Sequence, residues 1–402
     1  MQRYDKLFEK LIRKKQENAK EFPFLTDFPI TSTHISLKTI TFAPLIILIT
    51  HQNTMYSFES DYNNGCHPSI LSRLAATNDL QTDAYGFDRF SESAKQRIRE
   101  ACECPDANVF FLGGGTQTNA TVIDSILQTY QGVVAAETAH IATHESGAIE
   151  FGGHKVITLP QHEGKISAAD LRNLLVGFYA DDAYEHIVFP GMVYITFPTE
   201  YGTLYTASEL LDIESVCHEY HLPLFVDGAR LGYGLTSPAS DISLPFLAHH
   251  CDVFYIGGTK VGALCGEAVV FTHGNANPHF FSIIKQHGAL FAKGRLIGIQ
   301  FDTLFTDNLY LNIARHANEL AVKLKQILKD KGFRTFIDSP TNQQFFILPN
   351  DVMEKLSQHI AFSRWAPFDA QSTVCRFVTS WSTTEADLQL LEKCLADIVF
   401  MH

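Results

Sequence analysis

The sequence is poor in cysteine pairs and in basic residues. Its eight cysteines include no C-x-x-C motif, and Cys102 and Cys104 are the one close pair. This pattern argues against a disulfide scaffold and for a reducing, cytoplasmic environment. Lys and Arg number 31 against 44 Asp and Glu, which gives a formal net charge of −13. Because no net positive field is available, we expect neither nucleic acid nor an anionic membrane as a partner.

Long hydrophobic runs are also lacking. The most apolar run near the N-terminus, residues 42–49, is far shorter than the roughly 20 residues that cross a bilayer. Basic residues lie well upstream of it and polar residues follow it, which does not fit a secretory signal. An ordinary domain sequence begins after Met55. We therefore expect residues 1–54 to be an N-terminal extension, of the kind that a misplaced start adds.

Between residues 108 and 272, short apolar runs alternate with helix-like segments. Most of the runs are apolar throughout, which is typical of strands buried on both faces of a mainly parallel sheet. The alternation predicts an α/β domain with helices on both faces of the sheet. The strand-like runs are Val109–Leu112, Val133–Ala136, Val156–Leu159, Ile187–Phe189 with Val193–Phe197, Leu222–Val226, Val253–Ile256 and Ala268–Phe271, and the helix-like segments include Thr118–Tyr130, Ala168–Leu175 and Ala207–Tyr220.

A second, smaller domain is predicted at the C-terminus. Leu309–Lys331 is a long amphipathic pattern that Gly332 terminates. Two strand-like runs, Gln344–Leu348 and Arg376–Thr379, and a helix from about Glu385 follow it. The sequence thus predicts a large α/β domain over residues 55–305 and a small α+β domain over residues 306–402.

Residues with chemical potential follow the apolar runs directly. A glycine-rich turn, Gly113–Gly115, opens a helix and could hold a phosphate on backbone N–H groups, although a plain tight turn explains it equally well. Asp227 follows one buried run and Lys260 the next, about one strand–helix–strand step apart. Alone, the aspartate could be a helix cap and the lysine a solvated surface residue. At the carboxyl edge of a parallel sheet, however, the two would meet.

Two histidines, His140 and His144, follow the run Val133–Ala136. Their spacing could suit a metal, but Ile141 stands where the metalloprotease pattern needs Glu, and we expect no metal. A histidine stacked on a planar cofactor is one alternative, and a hydrogen-bonded structural histidine is another. A glycine cradle, a histidine, a strand-end aspartate and a loop lysine in this order predict a site for pyridoxal 5'-phosphate.

Several motifs together resemble the threonine aldolase branch of the fold-type-I pyridoxal phosphate enzymes, within the β-eliminating lyase superfamily. The resemblance extends from about Ser57 to the C-terminus. It rests on Phe58–Asn63, Tyr85–Asp88, Gly115–Asn119, Glu137–His140, Asp227–Arg230, Lys260 and Cys375–Thr379.

The resemblance implies a role for each matching residue. Lys260 would form the Schiff base, Asp227 would face the pyridine nitrogen and His140 would stack on the ring. The other implied cofactor-binding residues are Gly115, Thr116, Gln117, Arg230 and Thr259, and the implied substrate-carboxylate residues are Ser60, Arg230 and Arg376.

The catalytic base is not fixed by the resemblance. Many threonine aldolases carry Asn-Thr-His after the central strand, whereas this sequence has Pro198–Tyr205, which is similar to the low-specificity and phenylserine-type aldolases. His144, one helical turn past His140, is our first candidate for the base and Glu200 is the second. A water molecule held by either residue is the third.

These observations predict an aldolase that cleaves β-hydroxy-α-amino acids of the threonine, allo-threonine or phenylserine type to glycine and an aldehyde. The alternatives are a pyridoxal phosphate-dependent β-eliminating lyase of another amino acid and a non-catalytic protein that binds the cofactor. The resemblance also implies a homodimer or homotetramer with shared active sites.

Overall fold

The computed structural model describes residues 56–399. The predicted extension, residues 1–54, lies outside the described residues. Within 56–399, no helix combines the length and the apolar character that crossing a membrane requires.

A seven-stranded sheet forms the centre of the large domain. Its strand order is β2-β8-β7-β6-β5-β3-β4. The neighbours from β7 to β4 pair in parallel, whereas β8 runs antiparallel to both β7 and β2. The strands are β2 (Asn108–Leu112), β3 (Gln131–Ala136), β4 (Val156–Leu159), β5 (Phe189–Thr196), β6 (Leu224–Asp227), β7 (Val253–Gly257) and β8 (Glu267–Phe271).

Helices connect these strands, and a long helix follows the last of them. Several begin at a side-chain cap, such as the Thr206–Glu209 capping box of α7, which satisfies backbone N–H groups that the helix leaves free. The helices are α1 (Pro68–Thr77), α2 (Arg89–Cys102), α3 (Gly115–Ile126), α4 (His140–Thr143), α5 (Ala148–Phe151), α6 (Ala168–Ala180), α7 (Ala207–Glu219), α8 (Leu231–Leu235), α9 (Leu244–His249), α10 (Phe280–Gln286), α11 (Arg295–Leu304) and α12 (Leu309–Asp330), with a 3-10 turn at Tyr184–His186.

The C-terminal part contains a four-stranded antiparallel sheet of order β12-β13-β10-β9. A short parallel pair joins β1, at the start of the described chain, to β11. The elements are β1 (Tyr56–Ser57), β9 (Arg334–Ile337), β10 (Gln343–Pro349), α13 (Asn350–Leu356), β11 (Ile360–Ala361), β12 (Ser363–Pro367), β13 (Ser372–Val378) and α14 (Glu385–Val399).

Two hydrophobic clusters form the core, and α12 contributes to both. The first half of α12 packs Tyr310 and Ala317 into the cluster around the large sheet. Its second half packs Leu320 and Leu328 into the smaller cluster under the antiparallel sheet. Phe58 belongs to that smaller cluster as well, although it lies far away in sequence. The domain boundary at residues 305/306 stays a prediction. The start of α12 at Leu309 supports it.

The predicted strands and helices agree with the structure in most places. The two runs predicted at Ile187–Phe189 and Val193–Phe197 correspond to one strand, β5 (Phe189–Thr196), because Pro190 and Gly191 continue the strand. The helix predicted at Thr118–Tyr130 begins earlier, at Gly115, and ends at Ile126. Strands β9 and β12 were not predicted from the sequence. None of their side chains is fully buried, so their apolar pattern is weak.

Candidate active site

Six strands of the large sheet, β2 to β7, have their carboxyl ends at one edge. Strands β3 to β7 are parallel, and β2 has the same direction because β2 and β7 are both antiparallel to β8. This edge is where α/β sheets bind their ligands. Asp227 ends β6, and the residues that follow β2, β3, β5 and β7 include Gly115, His140, Glu200 and Lys260.

Asp227, the last residue of β6, is 3% exposed and receives three hydrogen bonds. Its Oδ2 accepts from Asn119 Nδ2 at 3.0 Å and from the hydroxyl of Tyr194, and its Oδ1 accepts from the N–H of Ala229 at 2.9 Å. Burial, and then the Asp227 charge, raise the pKa of Tyr194 well above its ordinary value, so that this hydroxyl stays a donor. The three donors compensate the cost of burying the carboxylate.

Glu145 links Asp227 to His140 through a buried network. Asn119 Nδ2, which bonds to Asp227, also donates to Glu145 Oε1 at 2.8 Å, and His140 Nδ1 lies 2.7 Å from the same oxygen. Burial lowers the pKa of His140, but the hydrogen bond to Glu145 and the charges of Glu200 and Asp227 outweigh it, and the pKa is raised. The imidazole is therefore held in one orientation with its Nδ1 proton directed at Glu145.

Lys260 lies in the turn after β7 and is half-buried at the wall of a cavity of about 480 Å³. The hydroxyl of Tyr233 donates to the Lys260 carbonyl at 2.6 Å. Thr259 does not direct its hydroxyl at the cavity: Oγ1 donates to Glu267 Oε1 at 2.8 Å and accepts from the N–H of Gly266 at 3.1 Å. Thr259 thus closes the lysine turn through its hydroxyl, and its contact with the cofactor stays a prediction.

Glu267 is a buried carboxylate beneath this turn. Its Oε2 accepts from the N–H of Gly258 at 2.9 Å, and its other oxygen accepts from Thr259. Burial raises the pKa of Glu267 to about 7, against the two hydrogen bonds, which lower it. Lys260 and Asp227 are the charged groups that act on it from the site.

The glycine-rich turn forms the start of α3. Its N-cap residue, Gly114, has no side chain to offer, so the first backbone N–H groups of the helix are not capped by it. Gly115 is the first helical residue, and Thr116 beside it is exposed. Gln117 is half-buried, and its Nε2 donates to the carbonyl of His287 at 3.2 Å. This geometry suits a phosphate, which binds to free N–H groups at a helix N-terminus.

Arg230 is buried and forms a bidentate pair with Asp61. Its Nε donates to Asp61 Oδ2 at 2.7 Å and its Nη2 to Oδ1 at 2.9 Å, while Asn342 Nδ2 donates to Oδ2 at 2.9 Å. Burial raises the pKa of Asp61, but the charge and hydrogen bonds of Arg230 outweigh it, and the pKa is lowered. Arg230 also lines the cavity, and its Nη1 is not used in this pair.

Arg376, on β13, lines the same cavity from the small domain. Its Nη1 donates to Gln343 Oε1 at 3.1 Å and its Nη2 to Ser363 Oγ at 3.2 Å. Burial, and then the charge of Arg230, lower the pKa of Arg376. Within the described residues, Arg376 Nε and the hydroxyl of Ser60 are buried without a hydrogen-bond partner. Such unpaired donors are costly unless a ligand satisfies them.

Both candidate bases lie at this cavity. The exposed His144 is the C-cap of the one-turn helix α4, and its ring is stacked on His140 with the centroids 5.7 Å apart. Its Nδ1 lies 2.6 Å from Thr143 Oγ1, which leaves Nε2 for another partner. Glu200 is half-buried in the loop after β5 and also lines the cavity.

Sequence reasoning missed several residues of this site. Glu145 could have been noticed as an acidic residue five positions after His140, and Asn119 as the last residue of the Gly115–Asn119 motif. Asp61 lies in the quoted motif Phe58–Asn63, but its pairing with Arg230 is long-range, and no local signal places Trp365 near Lys260.

The residues present fit pyridoxal phosphate. One edge of the large sheet brings together Lys260, the buried Asp227, the uncapped N-terminus of α3 and His140. Two buried atoms beside them, Thr138 Oγ1 and Glu145 Oε2, have no hydrogen-bond partner among the residues that the structure describes. The start of α3 would hold the phosphate of this cofactor, Asp227 and His140 would hold its ring, and Lys260 would hold its aldehyde carbon.

Comparison with known proteins gives the family. The sequence profile described as "Beta-eliminating lyase" matches residues 58–343. The low specificity L-threonine aldolase of a Pseudomonas strain is 31% identical over 338 residues, which are 83% of this chain and 95% of the relative. The chain belongs to the beta-eliminating lyase family.

Solved structures place the chain more narrowly within the beta-eliminating lyases. The threonine aldolase of Leishmania major is 41% identical, with a TM-score of 0.83 over 86% of this chain and 99% of that one. The aspartate aminotransferase of Thermus thermophilus is 13% identical, with a TM-score of 0.62 over 89% and 94% of the two chains, and shows the shared fold alone. The predicted family, fold class and cofactor are confirmed.

Proposed function

We propose that this beta-eliminating lyase family member is a pyridoxal phosphate-dependent aldolase, which cleaves β-hydroxy-α-amino acids to glycine and an aldehyde. The observation that carries the proposal is the convergence of Lys260, Arg230 and Arg376 on one cavity beside the buried Asp227. The named relatives, at 31% and 41% identity, support the same reaction.

The two arginines would orient the amino acid by its carboxylate. Arg376 retains an unpaired buried Nε, and Arg230 retains an Nη1 outside its pair with Asp61. A guanidinium binds a carboxylate through two parallel hydrogen bonds, which fixes the substrate's orientation. Ser60, whose hydroxyl is buried without a partner among the described residues, would add a third donor.

The cofactor, when bound, supplies an electron sink for the pair released from the Cα–Cβ bond. The chain supplies the groups around it. Lys260 offers the amine that holds the cofactor, Asp227 offers the negative charge for its pyridine nitrogen, and the ring of His140 lies at the cavity wall. The N–H groups at the start of α3 would hold the phosphate.

His144 is our proposed base for the β-hydroxyl proton. Its Nε2 is not used by the contact with Thr143, and its ring is stacked with that of His140 at 5.7 Å between centroids. An imidazole has the proton affinity that general base catalysis near neutral pH requires. Glu200 is the second candidate, because it lines the same cavity.

The reaction is tested by its products. The protein with pyridoxal phosphate is incubated with threonine or phenylserine, and glycine, aldehyde, ammonia and keto acid are quantified. We expect equal amounts of glycine and aldehyde, and none from Lys260→Ala, while the exposed Lys393→Ala keeps the activity. Ammonia with a keto acid would instead show β-elimination, and neither pair of products would indicate a protein that binds the cofactor without turnover.

We also propose a cytoplasmic homodimer or homotetramer with shared active sites. The supporting observation is an exposed aromatic surface, Tyr85, Phe87 and Phe281, which shares a cavity with Phe291, a side chain next to Gly113. Sedimentation equilibrium tests this proposal, and a monomer that binds the cofactor fully would contradict it.

A further inference from the structure

The cavity at Lys260 has an aromatic wall that the steps above leave without a role. Lys260 is assigned to the cofactor, and Arg230 and Arg376 are assigned to the carboxylate of the substrate. The aromatic side chains that line the same cavity without an assigned role are Tyr62, Tyr201 and Trp365. Their common chemistry is a flat, polarizable face that suits an apolar or aromatic group.

Trp365, on β12, is the centre of this wall. Its ring is stacked with that of His144, at 5.8 Å between centroids and 24° between planes. Tyr201 and Phe345 meet it edge to face, at 6.2 Å and 5.2 Å. Contacts on three sides hold the indole in one orientation, so that it presents a preformed surface.

Trp365 also adjoins the carboxylate anchor. The guanidinium of Arg376 lies 5.0 Å from the centroid of a Trp365 ring, a distance typical of a cation–π contact. The unpaired Nε of Arg376 belongs to the same guanidinium. A carboxylate bound at Arg376 is therefore bound next to the indole.

The substituents on Cα and Cβ then divide among the cavity walls. The amine would exchange with that of Lys260 at the cofactor, the carboxylate would bind the two arginines, and the β-hydroxyl would face His144, which is stacked with Trp365. The remaining group, the substituent on Cβ, is left beside the aromatic wall. A phenyl ring can cover a large part of such a wall, whereas the methyl group of threonine covers little of it.

We propose that Trp365 is a specificity-determining residue, which favours β-hydroxy-α-amino acids with an aromatic ring on Cβ over threonine. This inference rests on the proposed aldol cleavage and deepens it by naming the substrate class.

The first test compares two substrates on the holoenzyme. We expect kcat/KM for phenylserine to exceed that for threonine, and Trp365→Ala to lower the ratio of the two by about tenfold. Trp365→Phe keeps a ring and should restore most of the ratio. Phe336→Leu is the matched control: Phe336 is an aromatic residue of the same small sheet that contacts Tyr201 but does not line the cavity, so this variant should leave the ratio unchanged.

The second test reads binding without turnover. The chain has two tryptophans, so Trp381→Phe leaves Trp365 as its one indole reporter. Phenylalanine is phenylserine without its β-hydroxyl, and 2-aminobutyrate is threonine without it. Without this hydroxyl, neither analogue can undergo the aldol cleavage between Cα and Cβ. We expect phenylalanine to change the Trp365 emission and to bind about tenfold more tightly than 2-aminobutyrate.

The two proposals fail in different ways. An unchanged substrate ratio in Trp365→Ala, with glycine and aldehyde still released, would overturn the role of Trp365 and leave the aldolase intact. Equal binding of the two analogues would overturn it as well. Absence of glycine and aldehyde in the parent protein would overturn the aldolase, while tighter phenylalanine binding at Trp365 would still support the aromatic wall.

Discussion

At the scale of single residues, the site is a chain of buried polar contacts that ends at the cavity. Asn119 joins Asp227 to Glu145, and Glu145 orients His140. Each contact replaces hydrogen bonds to water that burial removes, so the loss of one partner leaves another unpaired. The residues that define the chemistry are therefore held in place before any ligand binds.

The base is tested by two substitutions. His144→Phe keeps a ring that can stack on His140 and Trp365 but removes the nitrogen, and we expect kcat to fall about 10²–10⁴-fold. The visible absorption of the bound cofactor should remain, because Lys260 and Asp227 are unchanged. Normal turnover in His144→Phe, together with a collapse in Glu200→Gln, would transfer the role to Glu200.

Glu267 makes stability depend on pH. Its pKa is about 7 in the folded protein, against an ordinary value of 4.5. The folded state therefore binds the proton more tightly, and the free energy of unfolding falls as pH rises through this window, by about 3 kcal/mol from this group. Glu267→Gln removes the titration. The free energy of unfolding of the variant should therefore increase relative to that of the parent between pH 5 and pH 8.

Urea unfolding of both proteins across that pH range measures the difference. Glu354→Gln, at a surface ion pair with Arg364, is the control and should follow the parent. A constant difference between Glu267→Gln and the parent would contradict the raised pKa.

At the scale of elements, the site depends on the close approach of the ends of β6 and β7. A Cβ on Gly228 would lie 1.9 Å from the carbonyl oxygen of Tyr255, which is backbone and cannot rotate away. Gly228 directly follows Asp227, so this turn can pass β7 only without a side chain. This steric conflict explains why the second residue of the Asp-Gly-Ala-Arg motif is glycine.

Gly228→Ala should displace this turn. We expect a loss of stability of at least about 1–3 kcal/mol and weaker binding of pyridoxal phosphate, since Asp227 shifts with the turn. Gly177→Ala is the matched control, because a Cβ there meets nothing within 4 Å in the middle of α6, and alanine should be neutral or stabilising. Thermal melting and a cofactor titration measure both effects, and equal behaviour of the two variants would refute the steric argument.

Elements also show what the sequence could predict. The strands of the large sheet are apolar on both faces, so their runs identified β2 to β8, and the positions of Asp227 and Lys260 followed from the strand ends. Local pattern could not reveal that Arg230 pairs with Asp61, 169 residues away, or that Thr259 turns toward Glu267. These contacts are set by tertiary packing, as is the position of Trp365 on the weakly patterned β12.

At the scale of the whole molecule, the cavity lies between the large sheet and the small antiparallel sheet, whose hydrophobic clusters share α12. The large sheet contributes Lys260 and Arg230, and the small sheet contributes Arg376 and Trp365. The segment after β1 runs between them: Asp61 binds Arg230, and the carbonyl of Glu59 accepts from Arg376 at 3.4 Å. The substrate site therefore depends on both parts of the fold, whereas the cofactor residues belong to the large sheet.

The most direct measurement maps the covalent link between cofactor and protein. The protein is mixed with pyridoxal phosphate, reduced with borohydride and digested, and the modified peptide is identified by mass spectrometry. Our account predicts the label on Lys260, and its loss in Lys260→Ala with the fold retained. A label on another lysine, such as Lys285 or Lys293, or no label on the parent protein, would contradict it.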